Sequence, residues 1–307
     1  MRFRKLDLNL LVALDHMLEL RSVSEAADKM FMSQSAMSNA LTRIRTYFDD
    51  PLLIQVGRRM ELTPRAEALR PAIRDILVRV DATIDVQPEF RADQSTRTFN
   101  VLLSDYTMRV LMPEVLALVE EARGTVKFNL LPQTVVPYTL LERGELDFLI
   151  SPEQLISRDH PSLLLYEDEY VVVADKNGPY GGAPIDLEAY QVASHVVMVP
   201  PGNAMSVEST LVELAGISRN VDVTTFSFSS IPYLIAGTSR IATVHRRLAR
   251  LIGMQVPIVH YPLPFAADPL RQMLQWHAYR ELDQGILWLR SIFEEASRRL
   301  DIHSPHQ

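Results

Sequence analysis

The sequence predicts a multidomain α/β protein with a small helical module ending in a two-stranded wing, one long helix, and a larger domain of two α/β lobes. Three observations predict this. Apolar residues recur at three- and four-residue spacing through the first 84 positions, short apolar runs alternate with helical patterns beyond position 97, and the polar stretch 91–97 separates the two regimes. A chain of 307 residues with 47% hydrophobic content has core enough for two or three folded units.

Taken in order, Leu6, Leu8, Leu10, Leu11, Leu14, Met17 and Leu18 give a first amphipathic helix. A second follows, capped by Ser22 or Ser24, with Ala26, Ala27 and Met30 as a narrow apolar face. Phe31 and Met32 break the pattern, and Ser33 offers a new cap for a third helix from about Gln34 to Phe48. Its inward positions are Met37, Leu41, Ile44 and Phe48. Its outward face carries Gln34, Ser35, Ser38, Asn39, Thr42, Arg43 and Arg45. Two helices joined by a tight turn form a helix-turn-helix. The run "PLLIQVGRRMELTP" then reads as two short strands with a basic tip at Arg58 and Arg59, a wing.

The third helix suits a major groove, where Gln and Asn pair with adenine, Ser and Thr reach bases or phosphates, and Arg neutralises phosphate. A solvated helix surface usually mixes Glu with Lys, and residues 33–48 contain neither. We therefore expect Ser33, Gln34, Ser35, Ser38, Asn39, Thr42, Arg43, Arg45, Arg58 and Arg59 to contact double-stranded DNA. The formal net charge of −7 is compatible with this, because residues 1–65 hold ten Lys or Arg against eight Asp or Glu and the acidity sits downstream.

Thr63 and Pro64 form an N-cap and first-turn proline, and Ala68, Ile73, Ile76, Leu77, Val80 and Ile84 sustain one long helix whose apolar stripe invites pairing with a second copy. Beyond position 97, "TFNVLLSD", "VKFNLLP" and "LDFLI" read as strands separated by the helices "MRVLMPEVLALVEEA" and "YTLLERG". After "LLLYEDEYVVVAD" a second strand and helix set begins, running from "HVVMVP" to "IATVHRRLARLIG", and the closing segment returns towards the first set. Such alternation predicts parallel α/β sheets.

The stretch "DLNLLVALDHMLELRSVSEAADKMFMSQSAMSNALTRIRTYFDDPLLIQVGRRMELTPRA" resembles the amino-terminal region of LysR-type transcriptional regulators. The later segments "LLPQTVVPYTLLERGELDFLISPEQ", "FSFSSIPYLIAGTSRIATV" and "QWHAYRELDQGILWLRSIF" resemble the branch of nodulation activators and regulators of aromatic-compound degradation. The resemblance implies a winged DNA-binding domain over 1–62, a dimerising linker helix over 63–90, and a periplasmic-binding-protein-like effector domain over 91–307. Lobe I then covers about 91–167 and 266–300, and lobe II about 168–265. It also implies a homodimer or homotetramer, a small aromatic effector between the lobes, and contact with RNA polymerase. Two departures stand out: Ser35 and His245 occupy positions where these relatives usually carry proline.

Effectors of such folds lie at the carboxyl ends of strands, in the crevice between lobes. The positions expected there are Ser104, Asp105, Tyr106 and Thr107 after the first effector strand, Pro132 and Thr134 after the second, and Gly202 and Asn203 before a helix N-terminus. By resemblance His195, Phe226, Ser227, His245 and Gln275 join them. Trp276 and Trp288 are expected in the core, and the acids of "YEDEY" on a solvated crossover strand.

The alternative reading is a small-molecule-binding or enzymatic α/β protein with an accessory helical module; the winged helix discriminates against it, and enzyme motifs are lacking. Glycine-rich "GPYGGAP" lacks the Gly-Lys-Ser/Thr of a phosphate loop, no Gly-x-Ser-x-Gly or His-Glu-x-x-His occurs, and the absence of cysteine removes thiolate chemistry. No metal, cofactor or membrane partner is expected, and the cytoplasm is the expected location.

Overall fold

The computed structural model describes residues 6–57, 59–84 and 89–302. The chain divides into two compact units, Met1–Val86 and Gln87–Gln307.

In the first unit, α1 (Leu8–Leu20) starts where the Asp7 carboxylate accepts from the Leu10 N–H, and α2 (Val23–Lys29) where Ser22 accepts from Glu25. Ser33 caps α3 (Gln34–Phe48) by accepting from Ala36. A hairpin of β1 (Leu53–Val56) and β2 (Arg59–Leu62) follows, in register from Leu53 opposite Leu62 to Val56 opposite Arg59, with Gly57 at φ +64° at its tip. That backbone conformation is open to glycine without steric cost. Arg58 of the tip lies outside the described residues. Thr63 then caps α4 (Pro64–Ile84) by accepting from Ala66, and its hydroxyl also donates to Asp50 at 2.7 Å. Leu14, Met17, Leu18, Ala26, Met37, Ile44, Leu52 and Leu53 fill the core of this unit.

The expected pairing stripe on α4 divides in two. Ile73 and Leu77 are buried in the core of the unit, while Ala68, Ile76 and Ile84 are exposed. The reason is that α4 packs along α1, which claims the face carrying Ile73 and Leu77. The described helix ends at Ile84; residues 85–88, at the end of the expected linker, lie outside the described residues.

The second unit holds two five-stranded sheets. The first comprises β3 (Thr98–Leu102), β4 (Lys127–Leu131), β5 (Phe148–Pro152), β6 (Ser162–Asp168) and β12 (Leu270–Gln275), ordered β4-β3-β5-β12-β6. The second comprises β7 (Tyr170–Asp175), β8 (Ser194–Met198), β9 (Asn220–Thr225), β10 (Ile241–His245) and β11 (Ile258–Pro262), ordered β11-β7-β10-β8-β9. The sheets are mixed, where alternation predicted parallel ones. β3, β4 and β5 are parallel, as are β8, β9 and β10, but β12 runs against β5 and β6, and β7 against β10 and β11. The antiparallel pairs come from the chain crossing between lobes at Glu169 and returning through residues 263–269.

Two further differences have local causes. The predicted helix over "MRVLMPEVLALVEEA" begins earlier and is two helices, α5 (Asp105–Val110) and α6 (Met112–Glu121). Ser104 caps the first, and Pro113, which has no N–H to give, sits in the first turn of the second. The "YEDEY" acids are not uniformly solvated, because Asp168 ends β6 buried between lobes. Phe90 packs against Phe99 and Trp288, so position 90 belongs to the effector-domain core. Trp276 is buried and Trp288 packs half-buried against the same core.

Candidate functional site

On α3, Gln34, Ser38 and Thr42 lie at four-residue intervals along one exposed line, with Ser35, Asn39 and Arg43 beside it. Met37, Ala40, Leu41 and Ile44 on the opposite face fix the helix to the core, which leaves this face to solvent. Part of it is internally engaged: Thr42 Oγ1 donates to the Ser38 carbonyl at 3.0 Å, and Ser33 and Ser35 hydroxyls lie 3.0 Å apart. Arg43 pairs with Asp7 at 3.3 Å, both exposed, a weak and exchangeable contact. Arg45 differs from expectation. Its Nε and Nη2 donate to the Pro51 and Leu53 carbonyls, each at 2.7 Å, so its guanidinium holds the base of the wing. The forked guanidinium thus bridges the turn carbonyl of Pro51, which also accepts from the Leu53 N–H, and the carbonyl of Leu53 at the start of β1. Arg59 is exposed at the start of β2.

In the second unit a cavity of about 90 Å³ lies between the lobes. Ser104, Tyr106, Thr134 and Gln272 line it from lobe I, and Met198, Ser206, Glu208, Phe228 and His245 from lobe II. Most of the wall is apolar or aromatic, and no Lys or Arg lines it. Glu208 is buried and spends its charge on Arg219. The His245 ring stacks on Tyr106 at 3.8 Å and meets Phe228 edge-on at 4.8 Å. Burial pushes its pKa down to about 3, so it stays neutral. Tyr106 donates to Asp168 at 2.6 Å, and burial raises the Asp168 carboxyl to about 6.

Several expected contacts lie elsewhere. His195 is fully buried at the start of β8, where its Nε2 donates to the Tyr190 carbonyl at 2.6 Å and burial lowers its pKa to about 4; it is a packing residue of lobe II. Gln275 is fully buried too, accepting from the Ser157 N–H at 2.9 Å and donating to the Ser157 carbonyl at 2.7 Å. Three positions apart on a strand, Gln275 and Gln272 face opposite sides, and Gln272 is the one at the cavity. Phe226 points to solvent, and Pro132 and Gly202 lie outside the wall, though the segments following them, Gln133–Val135 and Ala204–Glu208, belong to it. Asn203 sits in a turn over Pro201–Asn203; its side chain lies outside the described set. Thr107 is buried behind the wall, accepting from Gln272 Nε2 at 3.0 Å. Asp105 and Ser227 are bonded to each other across the cleft at 2.7 Å. Among the described residues no cluster of His, Asp or Glu has the form of a metal site.

Sequence reasoning missed Gln272, Met198, Phe228 and Glu208. Gln272 was legible in principle from strand alternation; the others come from lobe II elements whose approach to lobe I no local pattern records.

The comparisons match this architecture. The model of the bacterial regulatory helix-turn-helix proteins of the LysR family matches residues 8–67, and that of the LysR substrate binding domain residues 92–298. Nodulation protein D 1 of Rhizobium leguminosarum bv. phaseoli is 40% identical over all of this chain and 98% of its own length. Nodulation protein D 1 of Sinorhizobium fredii is 37% identical over 99% of this chain and 95% of its own length. The crystal structure of PA0477 from Pseudomonas aeruginosa, 28% identical, covers 96% of this chain and 98% of its own with a TM-score of 0.65. Full-length OxyR of the same organism, 14% identical, shares the fold over 98% of this chain and 99% of its own, with a TM-score of 0.70. With both domains matched in order over nearly its whole length, the chain belongs to the LysR family of DNA-binding transcriptional regulators, and it is not an enzyme.

Proposed function

We propose that this regulator holds promoter DNA through the exposed face of α3 and the wing, and responds to a small aromatic effector bound between its two α/β lobes. The observation that carries the effector reading is the cavity wall. Tyr106, Tyr170, Phe228 and His245 supply aromatic surface, and Ser104 and Gln272 supply a few polar groups, the composition of a site for a ring bearing hydroxyls. The lack of a lining cation disfavours a carboxylate there. The full-length likeness to Nodulation protein D supports the activator reading.

The protein works as a homo-oligomer in the cytoplasm, a dimer or tetramer placing paired α3 helices on two half-sites, with α4 as the pairing element. Effector binding shifts the lobes between two arrangements that differ in affinity for it, and the change alters subunit geometry, DNA bend and polymerase contact. Calorimetry of the full chain against a panel of phenols, flavonoids and salicylates tests this. One aromatic molecule per chain, with affinity lowered in a Gln272→Ala variant, is the expected result. No binding by any member would refute the aromatic reading and leave the regulator assignment intact.

A further inference from the structure

The cavity between the lobes holds about 90 Å³. That is smaller than the roughly 150 Å³ that accommodates a benzene ring in an apolar protein cavity. An aromatic guest therefore enters only if the lobes part. Two contacts oppose parting. The carboxylate of Asp105, at the start of α5 in lobe I, accepts four hydrogen bonds from the loop after β9 in lobe II. These come from Ser227 Oγ at 2.7 Å, the Phe228 N–H at 3.3 Å, the Ser229 N–H at 2.8 Å and Ser229 Oγ at 2.8 Å. Gly202 of lobe II, at φ +74°, approaches Val135 of lobe I so closely that a Cβ at that position would stand 2.8 Å from Val135 Cγ2. The glycine thus lets the lobes meet on a second edge of the cleft.

We propose that Asp105, Ser227 and Ser229 form a clasp holding the effector-free cleft shut, and that they set effector access without touching the effector. The proposal rests on the effector reading above for its consequence, while the clasp itself is a property of the free protein. Charge-assisted bonds to a carboxylate are among the stronger ones a surface loop can make. Only a fraction of molecules is then open, and apparent effector affinity is lowered by that fraction. Removing the clasp raises the open fraction and tightens effector binding. A residue contacting the effector would do the reverse when removed.

The test is hydrogen exchange of the full-length chain without ligand, followed by titration with phenol and with naringenin as probes. Ser227→Ala/Ser229→Ala retains the carboxylate and both backbone donors, so it stays folded if Asp105→Ala does not. We expect peptides over 132–137 and 198–208 to exchange roughly tenfold faster in either variant, with strands 148–152 and 171–175 unchanged, and the probes to bind more tightly than to wild type. Faster exchange confined to 104–107 and 226–230 would overturn the clasp. Faster cleft exchange with weaker probe binding would overturn it as well, by making these residues effector contacts. Faster cleft exchange with no probe bound by any form would uphold the clasp and refute the aromatic reading instead.

Discussion

Gln34 stands exposed in the first turn of α3, where a long amide side chain reaches a base edge before its neighbours do. Gln34→Ala should cost about 1–3 kcal/mol on the specific site and little on random DNA, as read by fluorescence anisotropy. Arg59→Ala should weaken both and lower the salt slope by about one. Arg45→Ala should act otherwise, because its guanidinium is spent on the Pro51 and Leu53 carbonyls. Thermal unfolding should show a loss of about 1 kcal/mol as the half-buried Leu53 carbonyl loses its donor and the exposed Pro51 carbonyl its brace; unchanged stability with a lower salt slope would restore it as a phosphate contact. Phe31 sits at φ +54° with 99% of its surface exposed, a left-handed backbone with no packing to compensate it. Phe31→Asn should raise stability by about 1 kcal/mol, since asparagine tolerates that conformation. Arg45 shows where residue-level reading stops. Its outward position on the helix was legible, but its partners belong to a turn whose path no periodicity records.

At the scale of elements, caps and apolar spacing placed α3 from Gln34 to Phe48 and started α4 at Thr63 and Pro64, because each signal acts within one turn of its own residue. The use of the α4 surface was less legible. Spacing alone joined Ile73, Ile76, Leu77 and Ile84 into one stripe, and α1 claims half of it. The two halves answer to different measurements. Ile73 is 3% exposed, so Ile73→Glu should cost more than about 3 kcal/mol and unfold the DNA-binding unit. Ile84 is 73% exposed, so Ile84→Glu should leave that unit folded and reduce particle mass in light scattering if the exposed half of α4 pairs copies. Unchanged mass would put the pairing surface elsewhere. The cleft suffered a similar loss, since strand ends near the crevice were legible from alternation whereas the antiparallel crossovers that decide which lobe faces Gln272 were not.

At the scale of the whole molecule, buried titratable groups tie the effector domain's stability to pH. His195 and His245 carry folded pKa values of about 4 and about 3, below the ordinary 6.5, so the unfolded chain binds more protons and stability is lost as pH falls from about 6.5 towards 4. Asp168, raised to about 6 from 3.8, opposes this over much of the same window, because its folded form holds the proton. His160 and His260, also lowered by burial, act with these two histidines, while Glu208, raised by burial, acts with Asp168; the four histidines outweigh the two carboxyls, so stability falls between pH 6 and pH 5. Denaturant unfolding of the effector domain at pH 5 and 6 should show that loss at the lower pH, and His245→Phe should flatten it. A slope of opposite sign would place Asp168 in control.

The function of the whole chain turns on whether α3 reads sequence. The measurement that decides it is the affinity of the full-length protein, wild type and Gln34→Ala, for a duplex from the promoter region of its own locus and for a scrambled duplex of equal length, over a range of salt. The wild type should prefer its promoter by roughly 10³-fold or more, and the variant should lose about 10- to 100-fold of that preference while retaining its binding to the scrambled duplex. Equal affinity of the wild type for both duplexes at every salt concentration would contradict sequence reading by α3.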